Sequence, residues 1–182
     1  VYSFAAAGYW SDGAAPSADK DYYVPAGRTL MTSTSGKGSP TFNGRHLALG
    51  GTVRYRCTAS PYQFSMGPGG ILLPGSGVQF DAAGNSFVGA VSVESTVESP
   101  AVLRLNSKTG DFNLNCVIRG AAGSALKLFS PGSEPLAETF RVLRSAFTNY
   151  LGTIIVSKNV GLTFDSQVAQ PVIPGTLNLT DG

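Results

Sequence analysis

Residues 147–164 read "FTNYLGTIIVSKNVGLTF": a Gly-punctuated strand, a turn and another strand, with no side chain in them that points to catalysis. Weaker versions of the same phrase recur along the chain. "DYYVPAGRTLMT", "HLALGGTVRYRC", "GGILLPGSGVQF", "SFVGAVSVEST", "AVLRLNS", "FNLNCVIRG", "ALKLFS", "GTIIVS", "VGLTF" and "GTLNLT" each carry apolar residues at a period of two, bounded by Gly, Pro, Ser or Asn. This is the pattern of strands and strand pairs. Their spacing, mostly about ten to fifteen residues, leaves little room for crossover helices. A βαβ plan is therefore excluded, and a sandwich, a barrel or a solenoid is left.

The glycines separate these three. Gly51, Gly70, Gly89, Gly152, Gly161 and Gly175 each stand just before or just inside an apolar run, where a residue without Cβ lets the chain turn a tight corner. Repeated strand and corner units suit coils stacked on one another, each completing its neighbour's core. The expectation is an all-β solenoid spanning residues 1–182 as a single domain. Its first ~20 residues serve as a cap, because the end of a stack needs atypical bulky residues.

One segment competes with that expectation. From Ser133, "SEPLAETFRVLRSAF" places Leu136, Phe140, Leu143 and Phe147 at helical spacing, with Pro135 and Glu134 early and Arg late, so one short helical insertion near 133–147 stays open. Phe140 and Val142 also alternate with Arg141 as a strand would, and the flanks are strands. Strand is the preferred assignment.

Composition bounds the function. The chain has 182 residues, 42% apolar and only 13% charged, with 23 glycines and a net charge of +2. Such a chain buries a real core and is not a disordered tail. Its 13 Lys and Arg are scattered, so the basic stripe that phosphate backbones require is missing and no nucleic-acid partner is expected. No 18-residue apolar window occurs, so no membrane span is expected in this chain. Val1 opens without a signal-peptide pattern, and "GTLNLTDG" stops while a strand pattern is still running. A fragment or processed piece of a longer chain is the expectation.

Two cysteines are present. Alternation sets Val53, Tyr55 and Cys57 on one face of "TVRYRC", and Phe112, Leu114, Cys116 and Ile118 on one face of "FNLNCVI". Both thiols are expected to be buried. Packing as small hydrophobes is preferred to a bridge, which stays open because it needs Cα atoms within roughly 7 Å. With His46 the only histidine and no Cys pair at ligand spacing, neither a metal nor a cofactor is expected.

Residues 149–164, "NYLGTIIVSKNVGLTF", resemble the autotransporter-associated β-strand repeat of large bacterial surface proteins, with Tyr150, Gly152, Thr153, Val156, Gly161 and Leu162 on its pattern. Residues 112–129, "FNLNCVIRGAAGSALKLF", are similar to the segment that precedes such a repeat, and "YWSDGAAPSADKDYYVPAGRTLMT" followed by "TFNGRHLALGG" resembles the opening of such proteins. Ile154 and Ile155 replace the usual Thr run, and "PGSEPLAETFRVLR" is an insertion. The resemblance implies a right-handed parallel β-helix, exported and displayed outside the cell or at its surface.

Catalytic candidates are few. Glu94 and Glu98, four apart in "VESTVES", would share a strand face but stand roughly 13 Å apart, too far for one ion. Asp19 and Asp21 flank Lys20 in a turn, where Asp side chains commonly bond their own backbone. His46 has no G-x-S-x-G partner motif, and "GPGG" at 67–70 lacks the Lys-Ser/Thr of a phosphate loop and reads as a corner. Tyr9, Trp10, Tyr22 and Tyr23 form the one aromatic concentration, suited to a cap or to stacking on a sugar. Asn178-Leu179-Thr180 is a glycosylation sequon. Two functions follow as expectations. The first is a non-enzymatic extracellular structural module, a stalk, adhesin segment or building block able to self-associate through its ends. The second is a carbohydrate-binding or polysaccharide-lyase-like β-helix with an extracellular glycan as partner.

Overall fold

Alternating apolar residues turn every second side chain of a strand to one face, so a strand with one buried face needs a partner surface on that side. In the computed structural model, which describes residues 4–32, 41–55, 63–66, 69–80, 86–105, 110–131, 138–142, 146–157, 160–164 and 175–180, the partner surface is supplied by stacking. Apart from a 3-10 turn at Ala7–Tyr9, the regular elements are all strands. In chain order they are β1 (Asp21–Val24), β2 (Thr29–Met31), β3 (Thr41–Phe42), β4 (His46–Leu49), β5 (Thr52–Tyr55), β6 (Gln63–Met66), β7 (Ile71–Leu73), β8 (Gly77–Phe80) and β9 (Ser86–Val93). They continue as β10 (Ala101–Leu105), β11 (Gly110–Gly120), β12 (Ala125–Phe129), β13 (Glu138–Val142), β14 (Asn149–Tyr150), β15 (Thr153–Ser157), β16 (Val160–Phe164) and β17 (Thr176–Thr180).

These strands form two sheets. The first runs β1-β4-β7-β9-β11-β13-β16, with β3, β6 and β14 joined alongside, and the second runs β17-β15-β12-β10-β8-β5-β2. Every pairing is parallel. Each strand therefore pairs with a strand one rung further on, and the chain winds as a parallel β-solenoid, the fold expected from the sequence. In the second sheet Thr29 faces Thr52, Val53 faces Val78, Ala101 faces Leu126, Ala125 faces Thr153 and Thr153 faces Thr176. Successive rungs are thus offset by roughly 23 to 28 residues, close to a repeat but never a strict one.

The core lies between the sheets as columns of stacked side chains. Val53, Val78, Leu103, Leu128 and Val156 make one column of the second sheet, while Leu47, Ile71, Val91 and Ile118 make one of the first. All nine are buried. Each such side chain contributes roughly 1.5–3 kcal/mol by leaving water, so a rung is held by the rungs beside it. Phe64 continues the core sideways, with its ring centre 5.2 Å from that of Tyr55 and 5.4 Å from that of Phe87.

Corners are built from small residues because adjacent rungs nearly touch there. A Cβ on Gly175 would stand 2.1 Å from the carbonyl oxygen of Gly152, the oxygen that accepts the Thr176 N–H at 3.0 Å. Gly70 turns its corner with φ of +71°, a conformation that side chains with Cβ rarely adopt. Gly161, expected at a corner, instead lies inside β16 opposite Thr139.

The helical alternative near 133–147 is overturned where the chain is described: Glu138–Val142 is β13, paired to β11 on one side and β16 on the other, and residues 146–148 form a turn. Phe112, Leu114, Cys116 and Ile118 share the buried face of β11 as expected, and Cys116 is a free thiol. Cys57 lies outside the described residues.

Candidate functional site

The two ends of the stack differ, and the difference begins with aromatic residues. At the first end Phe4 is buried against Phe42 and Phe64, with ring centres 5.9 and 5.6 Å away, and Trp10 lies edge-on to Tyr22 at 4.6 Å. Tyr22 in turn meets Phe42 edge-on at 5.5 Å. The segment is tied down by polar bonds as well: Trp10 Nε1 donates to the Phe4 carbonyl at 2.9 Å, and the Tyr22 hydroxyl accepts the Ser17 N–H at 2.9 Å. The aromatic concentration is thereby split. Tyr22 belongs to the core, whereas Tyr9 and Tyr23 present 48% and 58% of their surface to solvent.

Around these rings the charges are paired. β1 and β4 run side by side with Asp21 opposite His46. Arg45 Nε and Nη2 donate to the two Asp21 carboxylate oxygens at 2.8 and 2.7 Å, and His46 Nδ1 lies 2.8 Å from Oδ1. The Arg45 bonds, followed by that from His46, hold the Asp21 carboxyl far below the usual carboxylate range, and Asp21 raises Arg45 in return. Lys20 Nζ donates to Asp12 Oδ2 at 2.8 Å, lowering Asp12 and raising Lys20. Asp19 accepts the Ser17 hydroxyl at 2.5 Å, the bond that lowers its carboxyl most. All these groups are exposed, so the pairs contribute orientation more than stability. Together with Tyr9, Trp10, Tyr23 and Arg28, Asp12 and Lys20 line a groove of about 740 Å³.

The other end is built differently. Among the described residues β17 is the outermost strand of the second sheet and pairs with β15. Its Leu177 and Leu179 continue the interior columns through Leu126 and Ile154 and through Leu128 and Val156. Those inner residues are buried, yet Leu177 is 41% exposed and Leu179 73%.

The remaining sequence candidates are not brought together. Glu94 and Glu98 are both exposed and lie in the connection between β9 and β10 rather than on one strand face. A bond from its own backbone holds the Glu98 carboxyl below its ordinary range. A second groove of about 740 Å³, lined by Glu94, Thr96, Arg119 and Asn149 among others, carries no aromatic side chain. Among the described residues no group of three or more His, Cys, Asp or Glu is arranged to hold a metal, and no helix is long and apolar enough to cross a membrane. Sequence reasoning missed Arg45 as the partner of Asp21 and the exposure of Leu177 and Leu179. The first was hidden because it depends on rung length, and the second because both leucines carry the pattern of buried residues. In comparisons with family models, curated proteins and solved structures, the chain matches none.

Proposed function

We propose that this chain is a non-enzymatic structural β-solenoid module of a bacterial surface or secreted protein, displayed outside the cell and associating with a second copy through its β17 end. The observation that carries this reading is the parallel β-solenoid itself, a stack of rungs whose outermost described strand, β17, leaves Leu177 and Leu179 exposed. An exposed strand edge beside an exposed apolar face is a template for another strand. At the first end Phe4 and Trp10 pack over Phe42, Phe64 and Tyr22 of the first sheet, so the two ends offer unlike surfaces and head-to-tail growth into filaments is disfavoured. A two-fold pair, with β17 of one copy antiparallel to β17 of the other, closes on itself. Support for the habitat comes from the autotransporter-like residues 149–164 and from the low charged fraction of 13%. The stalk or adhesin role follows from a rod that spaces its two ends without chemistry of its own.

Native mass spectrometry over a concentration series tests this. Dimers are expected at micromolar concentration, and Leu179→Lys is expected to restore the monomer without lowering the thermal midpoint, because Leu179 is 73% exposed. A strict monomer at every concentration would sink the self-association.

A further inference from the structure

We propose that the groove at the first end binds a neutral saccharide, with the Tyr23 ring as its stacking platform. This goes beyond the structural role and does not depend on it, since the groove lies at the opposite end from β17. Gly50 lies in the rung next to β1, its N–H donating to the Val24 carbonyl at 2.8 Å. A Cβ at position 50 would stand 2.2 Å from the Tyr23 hydroxyl oxygen and 2.8 Å from Cζ. The hydroxyl end of the Tyr23 ring therefore lies directly against the backbone of the neighbouring rung, while 58% of the residue stays in solvent. An exposed aromatic ring whose end is already backed by protein has less freedom to lose when a ligand stacks on it.

Groove dimensions and charge then narrow the ligand. A volume of about 740 Å³ suits a small ligand or a few linked sugar rings. Two acids, Asp12 and Asp21, and two bases, Lys20 and Arg28, line it, and Asp12 with Lys20 and Asp21 with Arg45 are already joined. With Arg45 counted, the named groups carry a single surplus positive charge, that of Arg28, too little to select an anion strongly. What is offered is a set of fixed donors and acceptors side by side, the complement of neighbouring hydroxyl groups, beside rings that fit the C–H face of a pyranose. A neutral, polyhydroxylated ligand satisfies both halves.

Trp10 lines the groove and is the chain's one tryptophan, so its emission reports on this site alone. The full chain is titrated with cellulose, chitin, mannan and xylan oligosaccharides, and with polygalacturonate as an anionic comparison. A saturable change in Trp10 emission with at least one neutral oligosaccharide is expected. Tyr23→Ala is expected to weaken that binding about tenfold, the loss of one ring contact, with its thermal midpoint unchanged. Tyr23→Phe should retain most of the affinity. The proposal is overturned if no neutral oligosaccharide saturates the signal, if Tyr23→Ala binds as well as the parent, or if polygalacturonate binds more tightly than every neutral sugar.

Discussion

Ser95 lies buried at the corner between β9 and β10 with its hydroxyl bonded in two directions. It donates to the Ala125 carbonyl at 2.6 Å and accepts the Ala101 N–H at 2.9 Å, while its own carbonyl accepts the Ala125 N–H at 3.0 Å. Ser95→Ala leaves an N–H and a carbonyl without the hydroxyl that joined them, a loss of about 1–3 kcal/mol that urea unfolding will show as a lower midpoint. Cys116 makes a second prediction at this scale. Burial pushes its thiol up, so the folded chain keeps the proton where the unfolded chain releases it. Its stabilising share is whole below the ordinary thiol value of 9.0 and is lost as pH climbs above it. Peptide-resolved iodoacetamide labelling at pH 8 should leave Cys116 unmodified in the native chain and modify it in denaturant. The inward placement of Cys116 was legible from its parity with Phe112 and Leu114. The Asp21–Arg45–His46 cluster was not, because those residues meet only through a rung offset that the sequence does not display. Likewise, nothing in the aromatic run distinguishes Tyr22, which is buried, from Tyr23, which rests outside on Gly50, until the face of β1 is fixed.

β13 carries the conflict between local pattern and long-range pairing. Leu136, Phe140, Leu143 and Phe147 fit a helix, yet Glu138–Val142 lies between β11 and β16, and both ladders require an extended chain. Backbone bonds to two neighbours outweigh helical propensities worth only tenths of a kcal/mol per residue. The strand also carries a core anchor, for Phe140 is fully buried and meets Phe112 nearly edge-on, with ring centres 6.3 Å apart. Phe140→Ala should therefore cost about 3–5 kcal/mol in denaturant unfolding, whereas Arg141→Ala on the exposed face of the same strand should change stability far less. The longer strands were legible because alternation and Gly corners bound them on both sides. β3 and β14, two residues each, are too short to show a period. β6 hides its alternating Phe64 and Met66 inside "SPYQFSMGPGG", where Pro and Gly read as loop. Uneven rung lengths obscured the repeat itself.

At the scale of the whole molecule each rung is held chiefly by its neighbours. Folding stability is then close to a sum of rung terms and rung-to-rung terms. The hydrogen bonds of both sheets run between rungs, along the stack, and not within them. This sets how the protein answers tension. A pull on the two ends loads those bonds a few at a time, as a zip is opened, so resistance is low and is renewed with each layer. Single-molecule stretching should give a staircase in which each step frees one coil, adding roughly 80–90 Å of contour at 3.3–3.6 Å per residue. One step that released the whole chain would contradict it. A tether built this way lengthens under load by shedding layers from an end and shortens again when the load is removed, a spring whose increments are set by the distance in sequence between Val53 and Val78.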